Sequence, residues 1–204
     1  MAYSDFTLKR VKSDLNIEII ENEELFPYIE GIEISQFLET MLKRNIPLAL
    51  AINTEKARSE LIIANILLEV KDQLKNEISF FSGIEFTVDK DRGLNGFCDF
   101  ILSRSIEQFY LETPVVTIVE AKNENITGGL GQCIAEMYAA AIFNERESDE
   151  IACIYGAVTI GDEWKFVKLV GNTAYIDTVK YYANDIQKIV AILVEMLKKE
   201  HHSK

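Results

Sequence analysis

The run PVVTIVEAK, residues 114–122, constrains the fold of this chain more than any other stretch. Its β-branched residues suit a strand. A strand this apolar must be covered by other elements, so it belongs inside a sheet. Yet it ends in Glu120 and Lys122, two residues apart. Side chains alternate faces along a strand, so these opposite charges share one face, in line with Val116 and Ile118. A core strand that ends in paired charges needs a reason for them.

Two strand-like runs precede it, ISFFSGIEFTV (78–88) and GFCDFILS (96–103), joined by the turn DKDRGLNG. After it, TGGLGQCIAEMYAAAIF reads as a helix led by Gly128, Gly129 and Gly131, whose small residues allow close packing on a sheet. IACIYGAVTIG and WKFVKLVG then read as strands, the first apolar enough to lie at the sheet's centre. Ahead of all of these, NTEKARSELIIANILLEVKDQL is a helix. Asn53 or Thr54 can cap it, Glu55 suits its first turn, and Ile63, Leu67, Val70 and Leu74 form its buried stripe. Glu60 lies one turn before Ile63 on the same side. Either the helix end emerges into solvent there, or the carboxylate serves a site.

Residues 1–53 read as an α-rich lead-in. Leu8, Val11 and Leu15 fall at helical spacing, as do Phe37, Met41 and Leu42 behind a Ser35 cap. The chain's end reads as a long amphipathic helix from about Asp177 to Lys199, with Ile186, Ile189, Val190, Leu193 and Leu197 on one side. The order helix, three strands, helix, strand, strand, helix predicts an α/β fold with one mixed sheet between helical layers. We expect a single domain over 1–204: an N-terminal extension 1–53, a core 54–170, and a C-terminal helix and tail 171–204.

Composition limits the chemistry. With 48% hydrophobic residues among 204, a sizeable core is available. The net charge of −12 argues against a protein that coats nucleic acid. No apolar run approaches the ~18 residues that suggest a membrane span, and the N-terminus lacks the apolar segment of a signal peptide. Cys98, Cys133 and Cys153 lack zinc-ligand spacing and read as reduced core thiols of a cytoplasmic protein. The only histidines, His201 and His202, lie in the tail, so chemistry must rest on carboxylates, lysines, hydroxyls or thiols. Asp99, set among Phe97, Cys98, Phe100 and Ile101, is poorly explained as surface, and a buried carboxylate needs a cation or donors. If its strand neighbours 114–122, then Asp99, Glu120 and Lys122 converge. Two carboxylates form a site for a hard cation of the Mg²⁺ type. A lysine beside them can orient water and stabilise developing negative charge. The plain alternative is an Asp99–Lys122 salt bridge.

This set resembles the PD-(D/E)XK phosphodiesterase superfamily, the restriction-endonuclease-like nucleases, over residues 54–170. GFCDF is similar to the family's first acidic strand and VEAK to its E-x-K strand. GLGQ resembles a glutamine-bearing helix start, and TEKARSELII resembles the first core helix. The opening part of type I restriction motor subunits carries a similar arrangement. The resemblance implies a restriction-endonuclease-like core holding Mg²⁺ or Mn²⁺ through Asp99, Glu120 and the carbonyl of Ala121. It implies Lys122 as the catalytic lysine, Gln132 as the residue that orients substrate or water, and Glu60, in preference to Glu55, as the residue completing the site. DNA or RNA would be the partner. In the branch with a Q-x-x-x-Y helix, tyrosine would stand at position 136, where this chain has Glu136 and a displaced Tyr138. Glu136 reads as a solvated helix position, with reach into the same cleft as the alternative.

Three functions follow: a metal-dependent nuclease, a non-catalytic interaction module on the same scaffold, or an enzyme acting on something smaller than a nucleic acid. WKFVKLV and the last helix are either a homodimer surface or ordinary core.

Overall fold

All seven residues of β4, Val115–Ala121, are buried, and the rest of the molecule is arranged to cover them. The computed structural model describes residues 1–149 and 151–198; His201, His202 and the expected helix end at Lys199 lie outside them. On one side β4 pairs antiparallel with β3, Phe97–Ser103, which pairs antiparallel with the edge strand β2, Ser79–Glu85. On the other it pairs parallel with β5, Ile154–Thr159. The long helix α5, Ile126–Arg146, makes that crossover. β6, Glu163–Val170, and β7, Thr173–Ile176, continue the sheet as hairpins. The result is a mixed eight-stranded sheet flanked by helices and followed by a C-terminal helix, the α/β architecture that the alternating pattern implies.

Helical layers cover both faces. One face carries α2, Gln36–Ile52, α4, Ala64–Gln73, and α6, Ile186–Leu197, which bury Leu38, Leu67, Val70 and Leu193 against Val119 and Ala121. The other carries α1, Leu8–Leu15, and α5, which bury Val11, Leu130 and Ile134 against Ile118 and Val158. A Cβ at Gly131 would lie 2.5 Å from the backbone of Thr7, so only glycine lets the chain before α1 lie across α5. Trp164, Phe166 and the apolar residues of α6 are core. No helix among the described residues is long and apolar enough to cross a membrane.

Several elements differ from the sequence expectation. Residues 173–176 form strand β7 just ahead of the expected last helix, 181–182 form strand β8 inside it, and α6 begins only at Ile186. β7 is held by a partner far away in the chain, the parallel strand β1, Glu18–Ile20, inside the expected helical lead-in. In α2 the buried stripe is Leu38, Leu42, Asn45 and Ala49, while Phe37 is exposed. Val116 does not share a face with Ile118. The β3–β4 register shifts between Leu102 and Ser103, and this bulge turns Val116 to the α6 side while Ile118 faces α5. Finally, the helix that opens the core is interrupted. α3, Glu55–Arg58, capped by Thr54, passes through a π turn at Ser59–Ile63 before α4. A π turn inserts a residue and rotates the phase of the residues before it.

Candidate active site

The charged end of β4 is where two strands part. The β3–β4 pairing reaches Phe100↔Val119 and goes no further. Beyond it the side chain of Asp99 takes over the ladder's role: its Oδ2 accepts a hydrogen bond from the Ala121 N–H at 2.8 Å. β4 stays attached on its other side, with the Lys122 N–H donating to the Thr159 carbonyl at 2.8 Å. Ala121 itself is fully buried between them.

Glu120 and Lys122 both face α5. Glu120 is only 1% exposed, and one carboxylate oxygen is ion-paired with the Lys122 ammonium. Its other oxygen, Oε2, is buried without a partner among the described residues. Lys122 also donates to Gln132 Oε1 at 3.3 Å, and Gln132 Nε2 donates to Glu136 Oε1 at 3.0 Å. Gly129 makes room for the lysine stem: a Cβ there would come within 3.0 Å of Lys122 Cγ and 2.8 Å of Val158 Cγ1.

Electrostatics follow from this crowding. Burial, and then the charge of Asp99, push the Glu120 carboxyl up to about 8, against the pull of Lys122. Burial also raises Asp99, offset in part by the Ala121 N–H, by Lys122 and by the neighbouring Glu120 side chain. The two carboxyl groups are therefore close enough for Asp99 to act on Glu120 through its charge. For Lys122, burial acts downward, but the charge and hydrogen bond of Glu120 outweigh it and the ammonium is held more firmly than usual. Glu136 is pushed well above the carboxylate range by burial and by Glu120.

The structure thus brings together Asp99, Glu120, Lys122 and Gln132. It does not bring Glu60, which is exposed and ion-paired with Lys56 on its own helix. The stripe that placed Glu60 inward assumes one helical period throughout, and the π turn breaks that period. The carboxylate on this segment that acts on Glu120 and Lys122 is Glu55, in the first turn of α3. Glu136, expected in solvent, is fully buried. Its i, i+4 spacing from Gln132 and the small apolar residues around it were the available signal, since α5 is covered on more than one side.

The site's chemistry suits a hard divalent cation. The donors are all oxygen, and the buried Oε2 of Glu120 has no partner among the described residues. No group of three or more His, Cys, Asp or Glu side chains gathers as a metal cage among those residues. An ion here would rest on two carboxylates, the number with which Mg²⁺ is commonly bound. Compared with known proteins, the chain matches no family model and no curated sequence.

Proposed function

We propose that the end of β4 is the active site of a metal-dependent phosphodiesterase acting on nucleic acid, built on a restriction-endonuclease-like core. The observation that supports it most is Glu120: a carboxylate only 1% exposed, next to a second carboxylate, with one oxygen left without a partner among the described residues. Such an arrangement costs stability and has no structural benefit that a glutamine would not give. Functional sites are where such costs are kept.

In this reading Asp99 and Glu120 hold Mg²⁺ or Mn²⁺, with the Ala121 carbonyl as the expected backbone donor. When bound, the ion supplies Lewis-acid stabilisation and a more acidic water. Glu120 must be ionised to serve, so it releases its proton and keeps Lys122 charged at its side. Lys122, held between Glu120 and Gln132, places an ammonium where negative charge develops on the transferring phosphoryl group. Gln132 orients the lysine, and through it the attacking water. The acidic chain as a whole would weaken non-specific attraction to nucleic acid, so affinity must come from the site and the groups close to it.

A second reading, a non-catalytic scaffold, is favoured by one observation. Lys122 already satisfies one oxygen of Glu120, and Asp99 is already committed to the Ala121 N–H. The deciding experiment is cleavage of single- and double-stranded DNA and RNA with Mg²⁺ or Mn²⁺, run beside Lys122→Met. Metal-dependent cleavage by wild type alone supports the nuclease. No cleavage of any substrate, with no metal binding by calorimetry, overturns it in favour of the scaffold.

A further inference from the structure

Behind Lys122 lies a carboxyl group that the catalytic reading does not use. Glu136 is fully buried in α5, and its Oε1 accepts one hydrogen bond, from Gln132 Nε2 at 3.0 Å. Its Oε2 has no partner among the described residues. A leucine or methionine would fill this helix position without the cost of an unpaired buried oxygen. What Glu136 adds is therefore its action on Gln132.

Gln132 is a two-ended group, one end donor and the other acceptor. Its neighbour on one side is the Lys122 ammonium, which can only donate. If the amide turned over, two sets of N–H donors would face each other there. Glu136 prevents this from the other side. Ionised or neutral, a carboxyl keeps an oxygen that accepts, so it always has a place for Gln132 Nε2. The contacts thus run outward from the Lys122 ammonium, which donates to Glu120 on one side and to Gln132 Oε1 on the other, and Gln132 Nε2 donates on to Glu136, so that each donor meets an acceptor.

We propose that Glu136 is a positioning residue: it fixes the amide of Gln132 so that the carbonyl oxygen of Gln132 faces Lys122 and holds the ammonium beside Glu120. The kinetic consequence rests on the nuclease reading; the positioning itself does not.

The test has two readouts, applied to wild type, Glu136→Gln, Glu136→Met, Gln132→Met and the double variant Gln132→Met/Glu136→Met. The first is the side-chain amide of Gln132 in ¹⁵N-labelled protein, identified by its loss in Gln132→Met. In wild type its two protons should be well separated in shift and slow to exchange with solvent. Glu136→Gln offers an amide oxygen in the same place and should keep both properties. Glu136→Met should keep the fold, checked by thermal melt, and give a Gln132 amide that exchanges freely. A freely exchanging Gln132 amide in wild type overturns the proposal without any variant, as does an unchanged signal in folded Glu136→Met.

The second readout is hydrolysis with Mg²⁺. Glu136→Met should lower kcat about 10–100-fold with KM little changed, the size expected when an outer support of a metal site is lost. Gln132→Met should lose as much, and the double variant no more, because both act through one contact chain. Additive losses overturn the chain. If wild type hydrolyses nothing, the nuclease reading falls alone, and the amide signals still decide the role of Glu136.

Discussion

Of the three glutamates buried among the described residues, Glu69 and Glu120 are buried differently. Glu69, at the junction of α2 and α4, is 7% exposed; Glu120, at the end of β4, is 1% exposed. Glu69 accepts from the Ser35 N–H at 2.9 Å, from the Ser35 hydroxyl at 2.5 Å and from Gln73 Nε2 at 3.0 Å. Burial acts to raise its carboxyl, yet these donors outweigh it and the group is held below the usual range. Glu120 has one lysine, a second carboxylate close by and an oxygen with no partner among the described residues, and it is pushed up to about 8. The first glutamate joins two helices, doing so at the cap of α2, where Ser35 also accepts from the Leu38 N–H. The second contributes no comparable joint. Burial is common to both; what separates them is how completely each carboxylate is satisfied.

The sharpest way to break this contrast is Lys122→Met, which keeps the stem's volume and removes the charge. Hydrolysis should fall at least about a hundredfold while the protein still folds in Mg²⁺. If Glu120 were structural like Glu69, the loss would instead be stability, roughly 3–5 kcal/mol in chelator. Thermal melts with and without Mg²⁺, beside the cleavage assay, separate the two.

A pH series sharpens it next. The folded-state carboxyl of Glu120 lies above its unfolded value, so between about pH 5 and pH 8 the folded state binds more protons than the unfolded one. Metal-free stability should therefore fall as pH rises through that window, by about 3 kcal/mol. Glu120→Gln should remove the share of this slope that Glu120 contributes, leaving that of Asp99 and Glu136, and be no less stable than wild type at pH 8. Urea melts in chelator measure it, and a Glu120→Gln protein much weaker than wild type at every pH would mark a structural salt bridge. Mg²⁺ affinity, read by calorimetry, should rise over the same window, because binding must displace the proton.

Glu69 should behave in the opposite way. Glu69→Gln turns acceptors into donors facing Ser35 and should cost about 1.5–3 kcal/mol, with cleavage unaffected. Equal stability of this variant in urea would remove Glu69 as the structural standard of the pair.

The smallest effect belongs to Glu60. It is exposed, so Glu60→Gln should change stability by no more than about 0.5 kcal/mol and leave hydrolysis as it is. A clear loss of cleavage would mean that Glu60 reaches the site after all.

How much of this was legible beforehand differs from residue to residue. Glu120 and Lys122 were visible because a strand's two-residue period is local, and two charges at the end of an apolar run break it conspicuously. Asp99 was visible for the same reason. The main strands, the α5 crossover and the Ser35 cap are likewise set by short patterns of apolar residues and cap chemistry. Glu60 was misplaced because a π turn leaves no periodic mark in the sequence, and it turned the first helical segment relative to the rest. Val116 was misplaced because a bulge depends on how two strands pair. Glu136 looked solvated because the covering of α5 by α1 and the chain before it comes from residues more than a hundred positions earlier.

The sequence by itself determined where the chain is strand and helix over most of its core, and that opposite charges close its most buried strand. These follow from interactions within a few residues, whose free energies are expressed wherever the segment lies. Tertiary structure alone decided that β1 pairs with β7, that β3 and β4 part at Asp99, and that Gln132 and Glu136 stand behind Lys122. Those outcomes depend on contacts between distant segments, each of which becomes favourable only when the others have formed.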